Sequence, residues 1–279
     1  MNIEKSNYDY EQISEDIKFE KKSSEGNAGY AYHRHDACEI MLIYTGDIRF
    51  YVEQTCFTPK PGSLIILNPN EMHRVQSVRE TTYERIVINV KKRYMDELST
   101  PDYQLSDCFY RRPLGSGNLR ELTPEQVSEF EKLYEKLEES KLSGEGGTIR
   151  RNAYAALLLL WVARCFRKGQ DTLVNTMPAY VVGVMQYISE HLSEPICLSE
   201  LSRRFHVSPG YLSAQFKKHT GLTIRSYLLD RKINYAKMLL QQGANVTEAC
   251  YAAGFGDYAN FIRSFKKETG MSPGSFRKS

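Results

Sequence analysis

The stretch HRHDACE, residues 33–39, sets His33 and His35 one residue apart with Glu39 four further on. Side chains of a strand alternate with a period of two, so residues 33, 35 and 39 share a face if the stretch is extended. Two imidazoles and a carboxylate on one face are ligands for a transition metal. They are equally hydrogen-bonding groups for the lining of a pocket. A plainer alternative makes both histidines ordinary rim residues.

Chemistry of a second kind lies near the C-terminus, where FKKHTGLTIRSY from Phe216 is echoed by FKKETGMSPGSF from Phe265, a shift of 49 residues. The register extends upstream, with Ser208 matching Asp257 and Leu212 matching Phe261. Ser208 and Asp257 are N-cap residue types, Pro209 suits the first helical position, and Gly221 and Gly270 suit left-handed C-caps. Leu212 and Phe216, like Phe261 and Phe265, stand four apart on one helix face. A shorter helix precedes each, SELSRRF from Ser199 and TEACYAAG from Thr247. The pattern predicts two helix-turn-helix units joined by one stiff helix over residues 223–242, capped by Thr223 and free of Gly and Pro. A rigid spacer of this kind suits two readers entering successive major grooves, ~34 Å apart, on one face of a duplex. Helix-turn-helix is also a structural motif in proteins that never touch DNA.

Residues 31–90 read as short strands punctuated by Thr-Gly-Asp, Pro-Lys-Pro-Gly and Asn-Pro-Asn, the pattern of a small antiparallel barrel or sandwich. After Leu122 the period changes. Thr123 caps and Pro124 opens a helix with Val127, Phe130, Leu133, Tyr134 and Leu137 on one stripe, and a second helix follows SGEGG from about Thr148 to Lys168. Such a pair either covers the barrel or forms a dimer seam, since periodicity gives an apolar face without naming its partner.

Charge divides the chain unevenly. Residues 178–279 carry 13 Lys plus Arg against 7 Asp plus Glu, whereas the remainder carries 24 against 27. A basic C-terminal third is the electrostatic footprint of a domain that meets phosphates. The six cysteines form no CxxC pair and are expected to be reduced thiols. No apolar core of a secretory signal opens the chain, and the run Ala153–Phe166 is too short to span a bilayer, so a cytoplasmic protein is expected.

SRRFHVSPGYLSAQFKKHTG and AGFGDYANFIRSFKKETGMSPGSFR together resemble the signature of the AraC family of bacterial transcription regulators. HRHDACEIMLIYTGD followed by PGSLIILNPNEMHR resembles, more loosely, the cupin sensor domain that many members carry. The resemblance implies an α+β chain: a cupin-like antiparallel β-barrel with two appended helices, then an all-α domain of two helix-turn-helix units joined by a long helix. The boundaries are a ligand-sensing and dimerisation domain at 1–172, a linker at 173–177 and a DNA-binding domain at 178–279. It also implies a sequence-specific regulator, not an enzyme, which answers to a sugar or related polar metabolite. The alternative is a metal-binding cupin enzyme or metal sensor fused to a DNA-binding module.

Carried over by position, the exposed face of the first recognition helix is Gly210, Ser213, Ala214 and Lys217, and that of the second is Tyr258, Ala259, Asn260 and Arg263. Asn pairs bidentately with adenine and Arg with guanine, so the second unit is expected to read bases more directly. Lys218, Lys266 and Lys267 are assigned to phosphates. In the barrel the ligand candidates are Tyr32, His33, His35, Glu39, Tyr44 and His73. His33, His35 and Glu39 match the first cupin motif, and His73 falls near the histidine of the second; these four are the candidate metal ligands, although no cofactor is expected beyond that divalent ion. Pro69 lies four residues before His73 instead of five, and Glu71 replaces a turn glycine. Expected partners are double-stranded DNA, a small-molecule effector, a second copy through helices 123–142 and 148–168, and RNA polymerase, with no membrane.

Overall fold

The computed structural model describes residues 9–25, 33–142, 144–167 and 177–277. They fall into two compact units, one spanning Glu11–Thr176 and the other including Met177–Ser279. Of the expected linker at 173–177, only Met177 lies among the described residues, and its side chain is buried.

The described residues include ten strands: β1 Asp9–Glu11, β2 Ile17–Ser24, β3 His33–His35, β4 Cys38–Thr45, β5 Ile48–Val52, β6 Thr55–Phe57, β7 Ser63–Leu67, β8 His73–Ser77, β9 Tyr83–Val90 and β10 Leu119–Glu121. They form two five-stranded sheets, in the orders β1-β3-β8-β5-β6 and β10-β7-β4-β9-β2. The ladders of β4 with β7 and β9, of β2 with β9, of β7 with β10, and of β8 with β3 and β5 are antiparallel. Between the sheets, Met41, Ile43, Ile65, Leu67 and Val87 meet Phe50, Val52, Phe57 and Val75 in one apolar cluster. The opposite parity of β4, Cys38, Ile40 and Leu42, belongs to a second cluster with Phe130, Tyr134 and Leu137 of α3 (Pro124–Glu139) and Ala155, Leu158 and Val162 of α4 (Gly147–Arg167).

One stripe of the helix pair therefore covers the outer face of a sheet. Thr123 starts α3 with a capping box closed by Gln126. A short 3-10 turn, Ser140–Leu142, follows it. Lys168, the expected end of the second helix, lies outside the described residues. Ile149 and Leu157 remain exposed on α4.

Two short helices, α1 (Lys92–Leu98) and α2 (Asp107–Tyr110), lead into the segment that returns to β10. One buried side chain holds that segment. Glu71 accepts from Arg112 Nη1 and Nη2 at 2.7 and 2.6 Å, from the Gly115 amide at 2.7 Å, from Asn118 Nδ2 at 3.1 Å and from the Asn68 amide at 3.0 Å. A residue that departs from the cupin pattern thus ties the turn before β8 to the segment 112–118. A turn glycine would leave Arg112 without its counter-charge.

In the second unit, α5 (Ala179–Glu190) precedes the first helix-turn-helix, α6 (Leu198–Arg204) and α7 (Pro209–Thr220). The rod α8 (Ile224–Gln241) leads to the second, α9 (Val246–Ala252) and α10 (Tyr258–Thr269), and α11 (Pro273–Phe276) closes the domain. Ser208, Thr223 and Asp257 cap α7, α8 and α10 as expected, each accepting a backbone N–H from three residues on. Gly221 and Gly270 are left-handed, with φ of 75° and 76°. Two starts differ by a residue from the sequence reading. Cys197 precedes α6, and Asn245, in a capping box with Glu248, opens α9. Among the described residues no helix is long and apolar enough to cross a membrane.

Two outcomes test this account. Arg112→Met strands the buried Glu71 carboxylate, so denaturant unfolding is expected to show a loss of roughly 3–5 kcal/mol, whereas Lys60→Met, which breaks the exposed pair with Glu121, costs less than ~1 kcal/mol. Gly254 has φ of +76°, and a Cβ there would sit 2.1 Å from the Leu192 carbonyl oxygen; Gly256 has open space. Thermal melts are therefore expected to show Gly254→Ala destabilising by more than ~2 kcal/mol and Gly256→Ala by less than ~1 kcal/mol.

Candidate functional site

Strand β4 enters the barrel from a bend at residues 36–37, and the parity that faces the inter-sheet core begins with Glu39. Its ladder partners are Leu67 on one side and Asn89 on the other, so a carboxylate is placed at the end of an otherwise apolar row. Strand β3 brings His33 opposite His73 of β8. Glu39, His35 and His73 are all buried, and their donor atoms lie within 4.8 Å of one another.

The hydrogen bonds fix how these rings are oriented. His35 Nδ1 lies 2.8 Å from the Ala37 carbonyl oxygen and His73 Nδ1 lies 3.0 Å from that of Glu71. A carbonyl only accepts, so both Nδ1 atoms carry the proton. Both Nε2 atoms then face the same oxygen, Glu39 Oε2, at 3.0 and 3.4 Å. Bare lone pairs would repel a carboxylate at that distance; positive charge between them, as protons on the imidazoles or as a metal ion, resolves the conflict. Burial opposes ionisation of Glu39, but the two imidazoles outweigh it and hold the carboxyl well below the usual carboxylate range. Two histidines and a carboxylate, each histidine braced by a backbone carbonyl, fit the donor set of zinc, iron or manganese.

Of the four expected metal ligands, three converge. His33 stands beside them, edge-on to His73 with ring centroids 4.3 Å apart, and is not one of the three clustered donors. The Phe50 ring lies parallel to that of His73, 6.2 Å away. Tyr44 corrects the sequence reading: it has the helix-facing parity of Cys38, Ile40 and Leu42, and its hydroxyl donates to Glu131 of α3 at 2.8 Å. Tyr32 falls outside the described residues.

In the second unit the expected reading faces are open to solvent. Gly210, Ala214 and Lys217 are exposed and Ser213 is half-buried on α7; Tyr258, Ala259, Asn260 and Arg263 are exposed on α10. Lys217 and Lys218 end α7 as Lys266 and Lys267 end α10, and all four are exposed. The apolar partners Leu212, Phe216, Phe255, Phe261 and Phe265 are buried, so each helix is fixed by its inner face while its outer face stays available. Tyr211, absent from the sequence-derived reading face, is also exposed on α7; the 49-residue register, which pairs it with Asn260, could have found it.

A model of the AraC-like ligand binding domain matches residues 24–147, and one of the helix-turn-helix domain matches residues 201–279. The chain is 26% identical over 233 residues to the Bacillus subtilis transcriptional regulator YbfI, covering 82% of this chain and 80% of that protein. It is 26% identical over 261 residues to the transcriptional activator RhaS of Salmonella schwarzengrund, covering 90% and 88%. Among solved structures, the C-terminal domain of AraT, a response regulator from Geobacillus stearothermophilus, is 28% identical over 37% of this chain and 87% of that one, with a TM-score of 0.36. With a ligand-binding barrel ahead of a duplicated helix-turn-helix, and relatives that are regulators along most of its length, the chain is a transcription regulator of the AraC family and not an enzyme.

Proposed function

We propose that this regulator senses a small polar molecule, a sugar or related metabolite, at the cluster of His33, His35, Glu39 and His73, and passes that occupancy to sequence-specific DNA binding by α7 and α10. The observation that carries the proposal is the convergence of three buried polar side chains at the end of an apolar barrel core. A few polar groups converging in otherwise apolar surroundings are the usual means of orienting a small ligand. Ligand would then shift the population of states that differ in DNA affinity. A second reading, a divalent metal as the sensed species or as a fixed part of the site, is favoured by the two Nε2 atoms aimed at one carboxylate oxygen.

On the DNA side, Asn260 and Arg263 supply direct base readout, with Tyr258 and Ala259 beside them, and Ser213 and Ala214 give the first unit a small-residue face suited to close approach. Lys218, Lys266 and Lys267 meet phosphates. Lys217 lies in the last turn of α7, as Lys266 does in α10, so it joins them. A second copy associates through what α3 and α4 leave exposed, where Ile149, Ala153 and Leu157 follow one another at four-residue spacing on α4. The regulator acts in the cytoplasm and works together with RNA polymerase.

Glu39→Gln keeps the shape of the site and removes its charge. DNA affinity without effector is expected to stay within about twofold of wild type while the response to cell-extract metabolites is lost; a full response would refute the assignment. Metal analysis of the purified chain before and after chelation separates the two readings: one tightly held ion per chain, absent from Glu39→Gln, selects the metal. Arg263→Ala is expected to cost ~1–3 kcal/mol in binding and to relax preference at one base pair. Lys266→Ala weakens all sequences alike and lowers the salt slope by about one, as competition binding at several salt concentrations would show.

A further inference from the structure

The two reading helices are unequally equipped. Positions 259, 260 and 263 of α10 carry Ala, Asn and Arg; the same register in α7 carries Gly210, Tyr211 and Ala214. Only Tyr211 among these three has reach, and it is 50% exposed in the first turn of α7. Next to it stands Tyr180, in the first turn of α5, with the hydroxyls 3.4 Å apart, the ring centroids 6.0 Å apart and the ring planes at 41°. Tyr180 precedes the matched helix-turn-helix segment.

We propose that Tyr180 and Tyr211 form a paired-phenol clamp on a single backbone phosphate of the duplex, at the N-terminal end of the first recognition helix. Each phenol has one proton to donate. Within the pair, one hydroxyl donates to the other, and the second keeps its proton for an outside acceptor. Mutual contact pins that proton to one place on the domain surface, and each ring has only two torsions to lose on binding. A donor fixed in space and carrying no net charge suits an acceptor whose position does not depend on sequence, which is a phosphate oxygen. The most discriminating base contacts come from side chains that pair twice, and a phenol offers one donor. The clamp gives the first unit an anchor that Gly210 and Ala214 do not supply. It also extends the interface from α7 to α5.

The proposal rests on DNA binding by this domain and is tested with the full-length chain on a duplex recovered by selection from random sequences. Tyr180→Phe and Tyr211→Phe keep both rings and remove one hydroxyl each. Each is expected to weaken binding by ~3–10-fold, by the same factor on every single base-pair variant of the site and without changing the slope of log Kd against log salt. In the double variant the loss is expected to fall short of the product of the single losses, because the two hydroxyls serve one contact. Wild-type affinity in both single variants would overturn the clamp and leave the pair a brace between α5 and α7. A loss confined to one base pair would overturn it in favour of base readout. A wild-type chain that selects no duplex would instead overturn the DNA reading, and the clamp with it.

Discussion

The DNA-binding unit depends on α8 being a wall of two cores at once. Its first half seats Tyr227 against Phe216 of α7, ring centroids 5.6 Å apart, and its second half puts Ile233, Ala236 and Leu240 in the cluster with Phe255, Phe261 and Phe265. At 1.5 Å per residue its 18 residues span ~27 Å, so the spacing between two reading helices is set by one continuous hydrogen-bonded element and not by a loop. Charged side chains also lie on this helix at depth. Asp230 is fully buried and accepts from Asn234 at 3.1 Å, and Lys237 passes over the Phe276 ring at 5.5 Å. A sequence view makes α8 a spacer; in the fold it is interior.

An analogous economy governs the barrel. Strand β4 is covered on both faces, by the opposing sheet and by α3 with α4, and such strands have no polar side to spare. Glu39 breaks that rule. It does so where two histidines with backbone-anchored Nδ1 atoms meet it, so the cost of burying a carboxylate is offset by the charge it faces. Glu71, two residues upstream of His73, holds the turn in place with its side chain while its carbonyl orients the His73 ring.

Much of this was legible in the residues because caps and C-terminal glycines act locally. Ser208, Thr223, Asp257, Gly221 and Gly270 do in the fold what their types and positions suggest, and the 49-residue repeat fixes the rest of that domain's plan. The barrel was less open to reading. Both parities of β4 are apolar, so nothing in CEIMLIYT tells which one faces the opposing sheet, and Tyr44, a pocket candidate by sequence, faces the helices. In the sequence Glu71 is only a departure from a motif, since a hub of hydrogen bonds to residues 112–118 is a long-range fact without local signature. Tyr180 and Tyr211 lie 31 residues apart, and only packing of α5 on α7 brings them together.

A single continuous helix, α8, separates the two helix-turn-helix units, and a rod of that kind would set two readers against one duplex. Sequencing the duplexes that the full-length chain retains from a random pool tests it directly. Two short blocks of preferred bases, at a constant separation of about 10–10.5 base pairs, are the result this account requires. A single block, or two whose separation varies from one retained sequence to the next, would contradict it.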